Sequence, residues 1–432
     1  MWQRLKAIKG ARSTGVYLLS NLVSAAVPFL LLPFLVRLIS PSEYGQVALF
    51  TGIFQVGLAF VGMNTIGAVK RRYFNQGDQD DPDDYARYIG VNLIILFATT
   101  LLTLAVVAVL SGWLGGLTGF AFPILAMAVL VAFGKYVTDL RLGDYQVRKQ
   151  AVNYGVLQVA LALANGGLSL AIVYYLMRSA EGRIVGMAVA FGLFALVALV
   201  SLMRAGLVKI DFSRERFRDS LAFGVPLVPH VLGMFLLTLV DRFFVAEYSG
   251  LAMAGIYAAA TQLVFVLRVL TDSINKSFQP WVFERLAQPE ETHRQVAVAS
   301  YRLFLVTILA GVAFAVVSPL LVTLMLGEAY RAAIALMPLL VLGTIFHGIY
   351  IYLMNFLLYV GKTGHLSYIT IVIGLINVGL LYVLVPPYGA MGAAIALAAG
   401  ALLRLIAVHT LVIRHTQLSW RVPSISSLLG RE

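Results

Sequence analysis

The chain has 432 residues, of which 60% are hydrophobic and only 12% are charged, and its mean hydropathy is +0.89. These values exclude a water-soluble globular protein, in which about 25% of residues are charged. The net charge of +12 is spread over many short connections, so it indicates loops that face anionic lipid and not a nucleic-acid partner. The absence of cysteine excludes a disulfide framework and a thiolate metal site.

Twelve apolar stretches of about 20 residues, the length that a membrane-spanning helix requires, follow one another along the chain. The first is too long for a removable signal peptide and lacks a small-residue cleavage site. The predicted fold class is therefore an all-α integral membrane protein with twelve transmembrane helices. Their predicted bounds are 14–37, 43–66, 88–112, 118–140, 152–177, 184–207, 223–247, 251–275, 298–326, 332–359, 364–385 and 389–413.

The distribution of lysine and arginine predicts the orientation of these helices. Of the 32 basic residues, 23 lie in connections or at span ends on the side of the N-terminus and four lie on the opposite side. Because the basic connections of membrane proteins remain in the cytoplasm, both termini are predicted to be cytoplasmic. The other five fall within the predicted spans: Lys135, Arg242, Arg268, Arg302 and Arg404.

The connection at 208–222, which includes KIDFSRERFRDS, divides the spans into two sets of six. It is predicted to be a cytoplasmic linker that contains an interfacial helix. The predicted domains on either side are an N-terminal six-helix lobe at 1–207 and a C-terminal six-helix lobe at 223–432, which ends in a short cytoplasmic tail. An even number of helices per lobe permits a parallel repeat, and two similar lobes predict a central cavity.

Charged residues within the seventh and eighth spans are the strongest functional signal. A central Asp or Arg in a membrane helix costs roughly 2.5–3.5 kcal/mol, so Asp241, Arg242, Arg268 and Asp272 indicate a protein-lined or watery interior. Arg268 and Asp272 stand four residues apart and so share a helix face, either as a substrate or gating pair or as an internal salt bridge. Asp241 and Arg242 are neighbours that point about 100° apart, so they need separate partners.

Other polar residues carry weaker signals. Lys135 and Asp139 repeat the spacing of four on the fourth span, and Asn21 either contacts a ligand or joins two helices. His347, Tyr350 and Asn355 form a polar patch on the tenth span. The residues that could carry a proton or bind a coupling ion are His230, Asp241 and Asp272.

Signatures of soluble enzymes are absent from the sequence. It contains no phosphate-binding loop for ATP, no zinc-protease motif and no outer loop with paired carboxylates. We therefore expect a protein that is not an enzyme and that requires no metal and no cofactor.

Several segments resemble a known family. The stretches GVPLVPHVLGMFLLTLVDRFF, AGIYAAATQLVFVL and FQPWVFERL are similar to the seventh and eighth helices of bacterial polysaccharide lipid-carrier flippases of the Wzx or O-antigen type. Also similar are LVSAAVPFLLLPFLVRLISPSEYGQVAL, GEAYRAA and INVGLLYVLVPPYGAMGAAIA. This type belongs to the superfamily of multidrug, oligosaccharidyl-lipid and polysaccharide exporters.

The resemblance implies a flippase of the bacterial inner membrane that works by alternating access. Its substrate would be an oligosaccharide linked to undecaprenyl diphosphate, moved from the cytoplasmic to the periplasmic leaflet for envelope polysaccharide biosynthesis. Implied partners are this lipid-linked substrate, membrane lipid, and the polysaccharide polymerase with other assembly proteins.

The resemblance also implies which residues take part. Arg268 best matches the basic cavity residues that attract the diphosphate and sugar, and Arg71 and Arg72 at the inner mouth are the next candidates. Asp241 and Arg242 match the Asp-Arg mark of the seventh helix. Asn21 occupies the polar position of the first helix.

Two other functions remain open from the sequence. One is a cation-coupled multidrug or metabolite exporter of the same superfamily, which would need cavity carboxylates where a diphosphate transporter needs Arg or Lys. The other is an enzyme or non-transport component of polysaccharide assembly, against which the absence of catalytic loops counts.

Overall fold

The structure is a computed structural model that describes residues 2–75, 82–288 and 293–416. Every secondary-structure element in these ranges is helical, which confirms the predicted all-α class. The predicted cytoplasmic tail beyond residue 416 lies outside the described residues.

Ten helical stretches in the described ranges are long and apolar enough to cross a membrane. Two of them, Arg214–Leu286 and Gly364–His415, have 73 and 52 residues, so each covers two of the predicted spans. Each contains a glycine with positive φ, Gly250 at 84° and Gly389 at 56°. Gly250 lies in a predicted turn between spans and Gly389 is the first residue of the last predicted span, and only glycine adopts such a backbone without strain.

Contacts between Cα atoms divide the chain into two compact units, 1–235 and 236–432. The division falls within one helix, so residues 208–235 group with the first unit. The two lobes predicted from the sequence, at 1–207 and 223–432, remain a prediction about the transport cycle and are taken up below.

The first unit contains nine helices and the start of a tenth. The second of these helices begins with a capping box, in which the Ser40 side chain accepts a hydrogen bond from the Glu43 N–H. Pro41 lies in the first turn of the same helix. The nine are α1 (Trp2–Leu38), α2 (Pro41–Phe60), α3 (Ile66–Asn75), α4 (Pro82–Val109), α5 (Ser111–Thr118), α6 (Phe122–Val147), α7 (Ala151–Tyr175), α8 (Ala180–Arg204) and α9 (Arg214–Gly224).

A kink between α2 and α3 is held by neighbouring helices. Gly62 has φ 73°, and its N–H donates to Thr99 Oγ1 on α4 at 2.9 Å. A Cβ on Gly62 would lie 2.1 Å from the Tyr136 ring of α6, so the site requires glycine. The Tyr136 hydroxyl in turn lies 2.6 Å from Thr65 Oγ1 at the start of α3. These contacts fix the direction in which α3 leaves α2.

The second unit is built around α13 (Ala333–Tyr359), which packs against α11 (Asp241–Leu286), α12 (His293–Leu321) and α14 (Thr363–His415). It also contains the end of α10 (Val228–Thr238). One part of this unit is an apolar cluster that includes Phe278, Tyr352, Phe356 and Val408. The part of α13 before Gly348 instead borders a polar cavity.

Candidate functional site

A partly open cavity of about 160 Å³ lies in the second unit, bordered by α10, α11, α13 and α14. One water needs roughly 10–15 Å³ on the same measure, so the space admits a ligand group of several heavy atoms. Close packing of α13 on α14 shapes it, because a Cβ on Gly343 would lie 2.4 Å from Leu397.

Three arginines line this cavity, and no Asp or Glu does so in the described part of the chain. Arg242 and Arg268 come from α11 and Arg404 comes from α14. The uncharged polar residues of the lining are Thr238, Thr261, Gln262, Thr344, His347 and Asn377. A cavity with three fixed positive charges and several hydrogen-bonding groups has the chemistry of an anion site.

The Arg268 side chain makes no hydrogen bond and no ion pair with a described residue. Asp272, four residues later, interacts electrostatically with Arg268 and Lys276, but it does not line the cavity. Of the two alternatives that the sequence leaves open for this pair, the structure shows no ion pair between Arg268 and Asp272, only an electrostatic interaction at longer range. The guanidinium of Arg268 is left facing the cavity.

Arg404 contacts two side chains of α13. Its side chain is 8% exposed, its guanidinium carbon lies 4.1 Å from the centre of the Tyr350 ring, and its Nη2 lies 2.7 Å from His347 Nδ1. Its Nε is buried without a partner in the described chain. The sequence placed Arg404 within a span and His347 in a polar patch, but it did not select either as a site residue.

Asp241 and Arg242 diverge as their spacing predicts. The Asp241 carboxylate is 4% exposed and accepts hydrogen bonds from the Tyr257 hydroxyl at 2.7 Å and the Arg242 backbone N–H at 2.9 Å. Arg242 lines the cavity, and its Nε is buried without a partner in the described residues. The carboxylate thus fixes the start of α11 while the guanidinium faces the cavity.

In the first unit, Asn21 joins two helices. Its Oδ1 accepts from the Tyr154 hydroxyl at 3.2 Å and from Gln158 Nε2 at 2.8 Å, so α1 is tied to α7. The Tyr17 and Tyr154 rings pack edge to face with their centres 5.0 Å apart. His230, another predicted residue, lies on α10 with its Nδ1 buried and unpartnered among the described groups.

The remaining predicted residues form ion pairs within the first unit. Lys135 Nζ lies 2.7 Å from Asp139 Oδ2, and both side chains are about one-third exposed. Arg71 and Arg72 pair with two different carboxylates, those of Asp219 and Asp84, each at 2.6 Å.

The Asp84 carboxylate of α4 also bonds to Arg216 of α9 at 2.9 Å. Tyr88 of α4 donates its hydroxyl to Asp219 Oδ2 at 2.6 Å. Helices α3, α4 and α9 are therefore cross-linked by charge.

The helical arrangement is that of a known class of membrane transporters. It matches the inward-facing structure of a multidrug resistance MATE family transporter of the MOP superfamily, with a TM-score of 0.74 and 17% identity, covering 90% of this chain and 94% of that one. It also matches the lipid II flippase MurJ in an inward closed conformation, with a TM-score of 0.71 and 11% identity, covering 98% of this chain and 89% of that one. At these identities the likeness shows the fold: this is a multi-pass membrane protein whose helices are arranged as in the MATE transporter and MurJ structures.

Sequence comparison identifies the family to which the chain belongs. Residues 11–286 match the family model described as "Polysaccharide biosynthesis protein", and the chain belongs to that family. An uncharacterized membrane protein of Haemophilus influenzae is 26% identical over 376 residues, which cover 86% of this chain and 89% of the relative.

Proposed function

We propose that this protein is a flippase that moves an undecaprenyl-diphosphate-linked oligosaccharide from the cytoplasmic to the periplasmic leaflet of the bacterial inner membrane. The observation that carries the proposal is the cavity of the second unit, which three arginines line without a carboxylate. A guanidinium binds a phosphate through two parallel hydrogen bonds, which makes arginine the residue suited to a diphosphate. The family's role in polysaccharide biosynthesis supports a lipid-linked sugar as the substrate.

A headgroup of this kind needs a protein path, because a polar group that enters hydrocarbon without a hydrogen-bond partner costs several kcal/mol. Fixed guanidiniums and amides replace water around the diphosphate and lower that barrier. The polyprenyl tail stays in lipid throughout. Alternating access, in which the lobes predicted at 1–207 and 223–432 move about the linker at 208–222, then exposes the bound headgroup first to one side and then to the other. Such a cycle changes no covalent bond.

The charge of the cavity also separates this function from export of organic cations. A cationic drug would be repelled by Arg242, Arg268 and Arg404, and it would find no carboxylate in the lining that the described residues form. The likeness to multidrug transporters is one of fold and does not decide the substrate.

The other predicted site residues take supporting roles in this proposal. Arg71 and Arg72 attract the diphosphate on the cytoplasmic side, where both termini are predicted to lie, and the residues of the first lobe that could contact the substrate are Asn21, Lys135 and Asp139. Any ion that drives transport is expected at His230, Asp241 or Asp272. The polymerase and other assembly proteins would receive the product in the periplasm.

Substitution of Arg268 tests the proposal. In a strain that depends on this protein for surface glycan, Arg268→Ala should reduce export roughly 10- to 100-fold, because a hydrogen bond to a charged group contributes about 1.5–3 kcal/mol. Arg268→Lys should restore only part of it, since an ammonium cannot form the two parallel bonds. Surface glycan and lipid-linked glycan retained inside the cell are measured at equal protein levels.

The double variant Arg268→Gln with Asp272→Asn distinguishes substrate binding from helix packing. If Arg268 binds substrate, the double variant stays inactive. Recovery of full export would show that the two charges only balance each other and would overturn the proposal. Arg331→Ala is the matched control, because Arg331 is 74% exposed beside Glu328 and is expected to tolerate the change.

A further inference from the structure

The side chain of His347 on α13 has one ring nitrogen engaged and one left over. Its Nδ1 lies 2.7 Å from Arg404 Nη2, and its Nε2 is buried with no partner among the described residues. A guanidinium stays protonated and can only donate, so His347 Nδ1 must be the acceptor and carries no proton. The imidazole is therefore neutral in this structure, and its single N–H, on Nε2, lacks an acceptor.

The charges that face His347 come from two neighbouring helices. They are the guanidiniums of Arg268 on α11 and Arg404 on α14. On its own helix the nearest titratable group is Tyr350, whose ring centre lies 5.9 Å away. Asp272 interacts with Arg268 and Lys276. The charged groups that act on His347 among the described residues are thus the two guanidiniums, and both are positive.

An anion in the cavity reverses this balance. Two negative charges beside Arg268 and Arg404 would remove the repulsion that opposes a third cation, and they would supply the acceptor that the His347 ring lacks. Arg404 has an unpartnered Nε and could turn its guanidinium from the imidazole to the anion. The freed Nδ1 would then take a proton.

We propose that His347 is a ligand of the transported anion in its protonated form, so that the site binds one proton together with the phosphate group. The inference rests on the proposed function for the identity of the anion, a diphosphate carried on a lipid. Linkage makes it reciprocal: the anion promotes protonation of His347, and a lower pH promotes anion binding.

Sulfate is the probe for this site, because it is tetrahedral, doubly charged and does not titrate near neutral pH. Its binding to the full chain in nanodiscs is measured by calorimetry between about pH 5.5 and 8.5. Affinity should rise as the pH falls, by at most tenfold per pH unit for one linked proton. Comparison of two buffers with different protonation enthalpies should show uptake of up to one proton per sulfate.

His347→Gln keeps an acceptor for Arg404 but cannot titrate. It should bind sulfate at every pH as weakly as the unchanged protein does at about pH 8.5, with no proton uptake. His365→Gln is the matched control, because His365 packs against His415 and does not line the cavity, and it should keep the pH dependence. An equal pH dependence in His347→Gln, or none in the unchanged protein, would overturn the inference.

Two further outcomes concern the proposed function. Failure of sulfate to bind at any pH would remove the anion site itself, whereas binding without pH dependence would remove only the proton. Undecaprenyl diphosphate in the nanodisc should displace sulfate at concentrations where soluble inorganic diphosphate does not. The opposite order would assign the site to a free phosphate and overturn the lipid substrate.

Discussion

The two units of the chain differ in whether the charged side chains on their helices are paired with opposite charges. In the first unit, Asp144 is 1% exposed and bonds to Arg141 at 2.7 Å and to Arg148 at 2.8 Å. In the second unit, the three cavity arginines face no carboxylate in the described lining. A buried charge is costly unless it is paired, so paired charges are explained by the fold alone. Unpaired charges of one sign that border a cavity need a ligand to explain them.

Arg183 extends the comparison to a cation without a carboxylate in the first unit. Its guanidinium donates to Asn165 Oδ1 at 2.9 Å and to Ser169 Oγ, so neutral side chains satisfy it. By contrast, the Arg268 side chain makes no hydrogen bond to a described residue. What separates these two arginines is therefore whether the hydrogen-bonding capacity of the guanidinium is used within the protein.

The largest expected effect comes from breaking a charge pair in the first unit. Asp144→Asn leaves Arg141 and Arg148 without their carboxylate and should lower the free energy of unfolding by about 3–5 kcal/mol. Thermal unfolding in detergent measures the change. Asp211→Asn is the control, because Asp211 is 54% exposed, lies 3.6 Å from Arg87, and should cost less than about 1 kcal/mol. Equal losses in both variants would contradict the structural role of Asp144.

How far the sequence predicts this arrangement depends on the range of each interaction. The spans are local features and were predicted, and Gly250 lies in a predicted turn, whereas the break at Gly389 falls on the first residue of a predicted span. The rule that charge in an apolar stretch marks an interior selected Arg242 and Arg268. The same rule applies to Arg404, which has no acidic residue at helical spacing to draw attention to it.

Contacts between distant residues could not be predicted from one sequence. The carboxylate of Asp219 lies 148 positions from Arg71, and His347 lies 57 positions from Arg404. Nor could the sequence decide which of Asp241 and Arg242 faces the cavity, because their 100° separation gives a difference in direction and no absolute orientation. The missing information in each case is the packing of one helix on another.

An effect of intermediate size is expected when a carboxylate is added to the cavity of the second unit, so that its arginines are paired like those of the first unit. Thr344 lines the cavity on α13, and Thr344→Glu would place a carboxylate among the three arginines. We expect sulfate affinity to fall at least tenfold, about 1.4 kcal/mol, because the arginines are then neutralised from within. Thr344→Gln, which has the same size without the charge, is the control. Unchanged affinity in the glutamate variant would show that the anion binds elsewhere.

The smallest effect is expected for the ion pair of Lys135 and Asp139 in the first unit, which the sequence predicted to be part of the site. Lys135 and Asp139 are 2.7 Å apart and about one-third exposed, and an ion pair of this kind contributes about 0.2–1 kcal/mol. A double-mutant cycle with Lys135→Gln and Asp139→Asn should therefore give a small coupling energy in thermal unfolding.

Export by the same double variant then tests the comparison itself. If Lys135 is present only to pair with Asp139, the double neutral variant should export glycan at close to the normal level. The pair has no net charge, so its removal leaves the net charge of the substrate path unchanged. The corresponding double variant of Arg268 and Asp272 should stay inactive, because Arg268 is not paired. A loss of export in both doubles would place Lys135 or Asp139 against the substrate, as the sequence predicts. In that case, pairing within the protein would no longer separate structural charges from functional ones.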